Sequence, residues 1–265
     1  MKIYPNINQS IGITFIIIAS MLVFAALNIF LNDLIGKEAS MFVYYLVSIG
    51  IPFIGFHFYR KKTNATSSYQ LKPISLINVL ALILITLAIQ FGINSPITDL
   101  IPMSDWIKQA FMELAEMNGL LGFLTLAVAA PILEEFIFRG IVLDGLLKNT
   151  SPWKAILISS LLFGFVHLNP WQFIGGTIIG MFIAWVYYRS HNLWYCILIH
   201  FANNASAFLI MQTKPAEELM NQTLVESYGG LGFMLVILPV SWICIYLGIR
   251  FLRNRFPTNQ TISHA

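Results

Sequence analysis

Eight apolar stretches follow one another along this chain, at residues 11–31, 41–59, 74–93, 119–147, 155–168, 171–188, 193–211 and 231–252. A helix of about 20 apolar residues matches the hydrocarbon thickness of a bilayer. In lipid the backbone has no water to bond, so a spanning segment must be a helix or part of a closed barrel. The composition agrees: 57% of residues are hydrophobic and 10% charged, against about 25% charged in a soluble domain. The mean hydropathy is +0.75. We therefore expect an all-α fold, a polytopic transmembrane helical bundle of about eight spans. The first stretch is longer than a signal-peptide core and lacks a convincing cleavage site, so it reads as a retained helix. The fifth and sixth are the shortest, and together form either two spans or one re-entrant excursion.

The charges sort between the loops. Threading eight spans with both termini in the cytoplasm puts Lys2, Arg60, Lys61, Lys62, Lys72, Lys148, Lys154, Arg189, Arg250, Arg253 and Arg255 on the inner side. Lys37, Lys108 and Lys214 fall outside, together with Asp33, Glu38, Asp99, Asp105, Glu113, Glu116, Glu217, Glu218 and Glu226. Basic residues in short loops collect on the cytoplasmic side, so the expected location is the cell membrane, multi-pass. The net charge of +3 is spread over loops and does not argue for nucleic acid. Cys196 and Cys244 both lie in apolar stretches and suggest packing, not a disulfide or zinc framework.

One integral membrane domain is the economical reading, with three parts. Residues 1–118 supply N-terminal spans and an interfacial helix at 106–117; residues 119–211 form a core; residues 212–265 hold an extracytoplasmic loop, the last span and a basic tail. The core carries Pro131-Ile-Leu-Glu-Glu-Phe-Ile-Phe-Arg-Gly140. Ionised groups at membrane depth are costly and usually face a bundle interior or a wet cavity. Glu135 and Arg139 stand four apart on one helix face and should pair. Glu134 points about 100° away, without a basic neighbour on its own helix. Pro131 should kink the helix or leave a carbonyl free. Further on, His167 ends the fifth stretch, and His200 and Asn204 share a face of the seventh. Carboxylates, histidines and an asparagine can together deprotonate water and donate hydrogen bonds to an oxyanion. Gly175, Gly176 and Gly180 suggest close helix packing.

Glu-Glu-x-x-x-Arg, Phe-x-x-x-His and His-x-x-x-Asn, in this order on successive membrane helices, resemble the CPBP family of intramembrane proteases. That family includes type II CAAX prenyl endopeptidases and the Abi proteins of bacteriocin processing and immunity. The resemblance implies that Glu134 activates water with His167 as partner, and that His200 and Asn204 bind the oxyanion, Asn203 being a substitute for Asn204. Glu135 and Arg139 would hold the site, and Phe163 would pack beside it. No cofactor is expected. A zinc ion on Glu134, His167 and His200 is the alternative, although His-Glu-x-x-His is absent and asparagine is a poor zinc ligand. The expected partners are the lipid bilayer and a membrane-associated peptide or prenylated protein reaching the site through a lateral or cytoplasmic opening. A non-catalytic immunity or scaffold protein and a transporter are the competing classes.

Overall fold

The computed structural model describes residues 3–64 and 68–256, so Lys2 and the end of the basic tail lie outside the described residues. It is an all-α bundle. Seven helices are long and apolar enough to cross a membrane: α1 (Ile7–Ile35), α2 (Lys37–Thr63), α3 (Leu76–Asp99), α5 (Gly119–Asn149), α7 (Pro170–Ser190), α8 (Leu193–Met211) and α11 (Leu231–Arg255). The remaining apolar stretch forms the shorter α6 (Pro152–Phe165). At 14 residues α6 is about 21 Å long and ends within the thickness of a bilayer. Helix α4 (Asp105–Ala115) occupies the place of the expected interfacial helix, with Trp106 exposed and Ile107 and Ala115 buried. Two short helices, α9 (Ala216–Asn221) and α10 (Leu224–Ser227), fold the loop before α11.

Many large apolar side chains on α1 and α11 are exposed, Leu22, Val23, Ile29, Leu235, Val236 and Ile243 among them. In a spanning helix such a surface is the one that meets lipid. The inner seams use glycine where backbones must approach. A Cβ on Gly164 would lie 2.5 Å from the Phe173 carbonyl oxygen, so α6 and α7 touch main chain to main chain. A Cβ on Gly248 would lie 2.4 Å from Ile85, which docks α11 on α3.

Polar contacts tie the loops into two opposite faces. On one, Asn149 Nδ2 donates to the carbonyls of Ile3 (2.6 Å) and Pro5 (3.3 Å), and Asn64 Nδ2 to that of Tyr4 (2.6 Å). There too Arg60 meets Asp144 at 2.6 Å, and Asn192 Nδ2 donates to Lys72 O at 3.0 Å. This is the basic face. On the other, Lys37 pairs with Glu116 at 3.0 Å, Asn118 N donates to Glu38 at 3.0 Å, and Lys108 bonds Asn221. The sorting of loops that charge counting suggested is therefore also their sorting in space.

Three wide π segments interrupt the helices, at Gln90–Asn94 in α3 and at Leu124–Ala129 and Phe138–Leu143 in α5. Such segments are frequent at functional sites. Carbonyls in the first are picked up from outside: Tyr228 donates to Phe91 O, and Trp242 Nε1 to Gly92 O at 2.7 Å.

Candidate active site

Glu134 and Glu135 sit on the eight-residue α segment Ala130–Ile137, between the two π segments of α5. Pro131 has no N–H to return to the turn before it. A carbonyl of that turn, Leu126 O, accepts instead from Asn204 Nδ2 at 2.9 Å. The free carbonyl that the proline implied thus positions a candidate site residue on another helix.

The pair read from the i,i+4 spacing is present. Arg139 Nη1 donates to Glu135 Oε1 at 2.9 Å, and both side chains are fully buried. Arg139 Nη2 donates to Gly180 O at 3.1 Å, and the guanidinium lies 4.4 Å above the Phe163 ring. A Cβ on Gly180 would stand 3.2 Å from Arg139 Nη2 and from Phe163 Cδ1, so this glycine leaves room for the arginine. Phe163 itself also meets the rings of Phe138, His167 and His200 edge-on at 5.3, 5.4 and 5.4 Å.

Glu135 has a second partner. Its Oε1 lies 2.8 Å from His200 Nδ1. The opposite edge of the imidazole turns towards the first glutamate, with His200 Nε2 3.8 Å from Glu134 Oε2. Glu134 Oε1 accepts from the Tyr45 hydroxyl, whereas its buried Oε2 has no hydrogen-bond partner. His167 Nδ1 lies 3.0 Å from Phe163 O. A carbonyl only accepts, so Nδ1 carries the proton and the neutral ring keeps Nε2 as an acceptor. Leu168, with φ +58°, breaks the chain after that histidine, and the Asn169 side chain accepts from Gln172 N at 2.8 Å to start α7. Asn204 Oδ1 accepts from Asn203 Nδ2 at 3.1 Å, which leaves one Asn204 N–H free of the contacts described.

Glu134, His167, His200 and Asn204 line one cavity of about 720 Å³, together with Asn203 and Phe163. The four residues singled out in the sequence are thus brought together.

Residues 116–206 match the family model described as Type II CAAX prenyl endopeptidase Rce1-like. The core of this chain is Rce1-like. The match covers all three motifs and, with the relative that follows, supports membership of the CPBP family. The Bacillus subtilis (strain 168) protein named "Putative membrane peptidase YdiL" is 32% identical over 114 residues, which are 43% of this chain and 46% of that one. The chain therefore spans less than half the length of the curated relative it matches. No solved structure matches it.

Three features of the Rce1-like core were not legible in the motifs. Tyr45, on α2, is 89 residues from the glutamate it contacts, and only folding brings them together. Glu135 holds His200 as well as Arg139, which intrahelical spacing cannot reveal. Asp144 anchors the basic face below the site: Arg60 and Lys148 meet its Oδ2 at 2.6 and 2.8 Å, and Tyr187 approaches Oδ1 at 3.5 Å. Its spacing of four from Lys148 was the available signal.

For a metal, the donor set fits poorly. Among the described residues no three His, Cys, Asp or Glu side chains converge as a ligating group. Glu135 and one nitrogen of His200 are committed to each other, and Nδ1 of His167 to a carbonyl. The remaining donors nearest the cavity are one carboxylate and two imidazole edges, without the closed or three-ligand geometry zinc sites use.

Proposed function

We propose that the chain is an intramembrane endopeptidase that cleaves membrane-associated peptides, with Glu134 activating water and without a metal. One observation carries this reading. Glu134 presents a buried, unpartnered Oε2 to the cavity, 3.8 Å from His200 Nε2.

Charge balance sets the proton inventory. Glu134 and Glu135 against Arg139 leave one negative charge, and a second proton on His200 cancels it. A neutral cluster is the cheaper one at this depth. In that form His200 donates from Nδ1 to Glu135 and offers Nε2–H to an oxyanion beside the remaining Asn204 N–H. His167 Nε2 accepts from the attacking water and orients it. Glu134 takes a proton from that water as its oxygen bonds to the scissile carbonyl carbon. The tetrahedral intermediate places its negative oxygen on His200 and Asn204. Its collapse breaks the C–N bond, and the carboxyl of Glu134 returns the proton to the departing amine. The products are a carboxylate and an amine, and the site is restored.

Glu134→Gln keeps volume and removes the base. Comparative peptidomics of cells with wild-type and Glu134→Gln protein should show cleavage products that vanish in the variant. Identical product sets, with both proteins folded and expressed, would end this proposal. His200→Ala and Asn204→Ala should each lower the rate on the order of 10²–10³-fold. The metal question has its own test: stoichiometric zinc in purified protein, with activity lost on chelation and restored by zinc, would replace the glutamate mechanism.

The orientation proposed is basic face inside, with both chain ends cytoplasmic, because ten of the lysines and arginines among the described residues gather there. Topology reporters fused after Lys62 and after Lys148 should read cytoplasm, and those fused within residues 217–227 the exterior. An exterior reading after Lys62 would reverse it.

A further inference from the structure

The cavity that holds Glu134 reaches only one face of the molecule. From the glutamates it runs to Asp99 and Ile101–Met103 at the end of α3, and to Leu219, Gln222 and Ser227 in the loop before α11. All of these belong to the acidic face. None of its lining residues comes from the basic-face loops. The way down to that face is filled: Phe138, Arg139, Gly140, Ile141, Val142 and Leu143 are all buried, and the buried Arg60 meets Asp144 below them. The lining holds two carboxylates, Asp99 and Glu134, and no lysine or arginine. Apolar side chains, including Phe111, Trp171, Phe208 and Met211, make up much of the wall.

Access to the site and the charge bias of the loops are independent observations, and they meet at one place. The face into which the cavity opens is the one that the basic residues avoid, which the bias between short loops assigns to the exterior. Negative groups at the mouth and in the wall disfavour acidic peptides and favour neutral or basic ones. We infer that the site is reached from outside the cytoplasm, and that its substrate is the extracytoplasmic part of an exported, membrane-associated peptide of neutral or positive charge. A protein anchored by a lipid on the cytoplasmic leaflet would meet the closed face. This inference rests on the endopeptidase reading for the word substrate, but not for the location of the opening.

The test separates the two. In a Cys244→Ala background the remaining native thiol, Cys196, is buried. Ser227→Cys and Gln222→Cys place single thiols in the cavity mouth, and Thr63→Cys places one on the exposed end of α2 at the basic face. A membrane-impermeant maleimide applied to intact cells should label both mouth positions and leave Thr63→Cys unlabelled until the cells are permeabilised. Labelling of Thr63→Cys alone in intact cells would overturn access from outside and leave the proteolytic reading standing. Peptidomics of the medium and of the cytosol supplies the second arm. Glu134-dependent fragments should appear outside and carry few acidic residues; fragments confined to the cytosol would overturn the substrate assignment. If no Glu134-dependent fragment appears anywhere, the endopeptidase reading fails, and the substrate with it, while the labelling still decides the opening.

Discussion

Glu135 Oε1 lies 2.8 Å from His200 Nδ1 and 2.9 Å from Arg139 Nη1, so one carboxylate oxygen fixes both an imidazole and a guanidinium. An ionised carboxylate only accepts, which makes Nδ1 the donor and aims Nε2 at Glu134. The residue that looked purely structural from its spacing thus also sets the tautomer of a neighbour in the site. Glu135→Gln keeps the size but brings a mixed donor and acceptor to this point. Activity is expected to fall on the order of 10²–10³-fold, with the folded yield reduced less than by loss of Arg139. Rates normalised to folded protein in detergent check it, and an unchanged rate would remove Glu135 from any role in orienting His200.

Arg139→Ala removes the counter-charge from a carboxylate with no exposed surface. Breaking one member of a buried pair costs about 3–5 kcal/mol, and the contacts to Gly180 O and the Phe163 ring disappear too. We expect a lower thermal transition in detergent and lower yield as well as lost activity. A fully stable but inactive variant would move Arg139 into the reacting group.

Tyr45→Phe takes the hydroxyl from Glu134 and leaves its Oε1 without that donor. An uncompensated buried polar group costs about 1–3 kcal/mol. Because the donor acts on the ionised form of the base, the pH–rate profile should shift to higher pH, while the fold is retained. A pH–rate profile identical to wild type would show that Tyr45 does not tune the base.

Gly164→Ala tests the seam between α6 and α7. The added carbon meets the Phe173 carbonyl oxygen and Thr177 Oγ1, each at 2.5 Å, so a helix must move. Overpacking of this kind costs about 1–3 kcal/mol. His167 and Trp171 lie on the two sides of that seam, so activity should drop with stability. Gly12→Ala, which has nothing within 4 Å, is the matched control and should leave both intact.

His191 turns the chain between α7 and α8 with φ +45°. Burial, and next the nearby Lys72, hold its imidazole pKa below the ordinary value, with Asp144 opposing and Lys148 adding a little. A lowered pKa means that the folded state binds the proton less readily than the unfolded chain. Stability is therefore full above the unfolded value of about 6.5 and declines as the pH falls from there to the folded pKa. Asparagine tolerates this backbone conformation and does not titrate. His191→Asn should flatten the dependence of thermal stability between about pH 8 and pH 5; an unaltered slope would place the titration elsewhere.

The helices were legible because hydropathy is a local property. The stretch expected at 193–211 is a helix with those bounds, and the one expected at 119–147 ends within two residues of its observed end. The fifth stretch, expected to reach 168, stops as a helix at Phe165, because the chain turns through Leu168 into the Asn169 cap. The motif residues were legible as a set and the cavity gathers them. Their pairings were not. His167 was the expected partner of Glu134, whereas the contact present at 3.8 Å is with His200. Which edge of an imidazole faces which carboxylate depends on helix rotation, and two wide turns in α5 change that rotation without any mark that hydropathy would register. The opening of the cavity was equally hidden: a cytoplasmic mouth was expected, and the lining runs to the acidic loops instead.

Those wide turns give the catalytic helix an unusual mechanical property. The segment Ala130–Ile137 is coupled to the rest of α5 through a π turn at each end, so its angular phase is set apart from both flanking lengths. Each π turn is the signature of one residue more than a regular helix needs. Deleting a residue such as Val128 would therefore leave a better-formed helix of nearly the same length, yet swing Glu134 and Glu135 by about 100° relative to the part of α5 before them. Here a single-residue deletion is a rotation, and it would separate the carboxylates from Tyr45 and His200 without removing any group that does the chemistry.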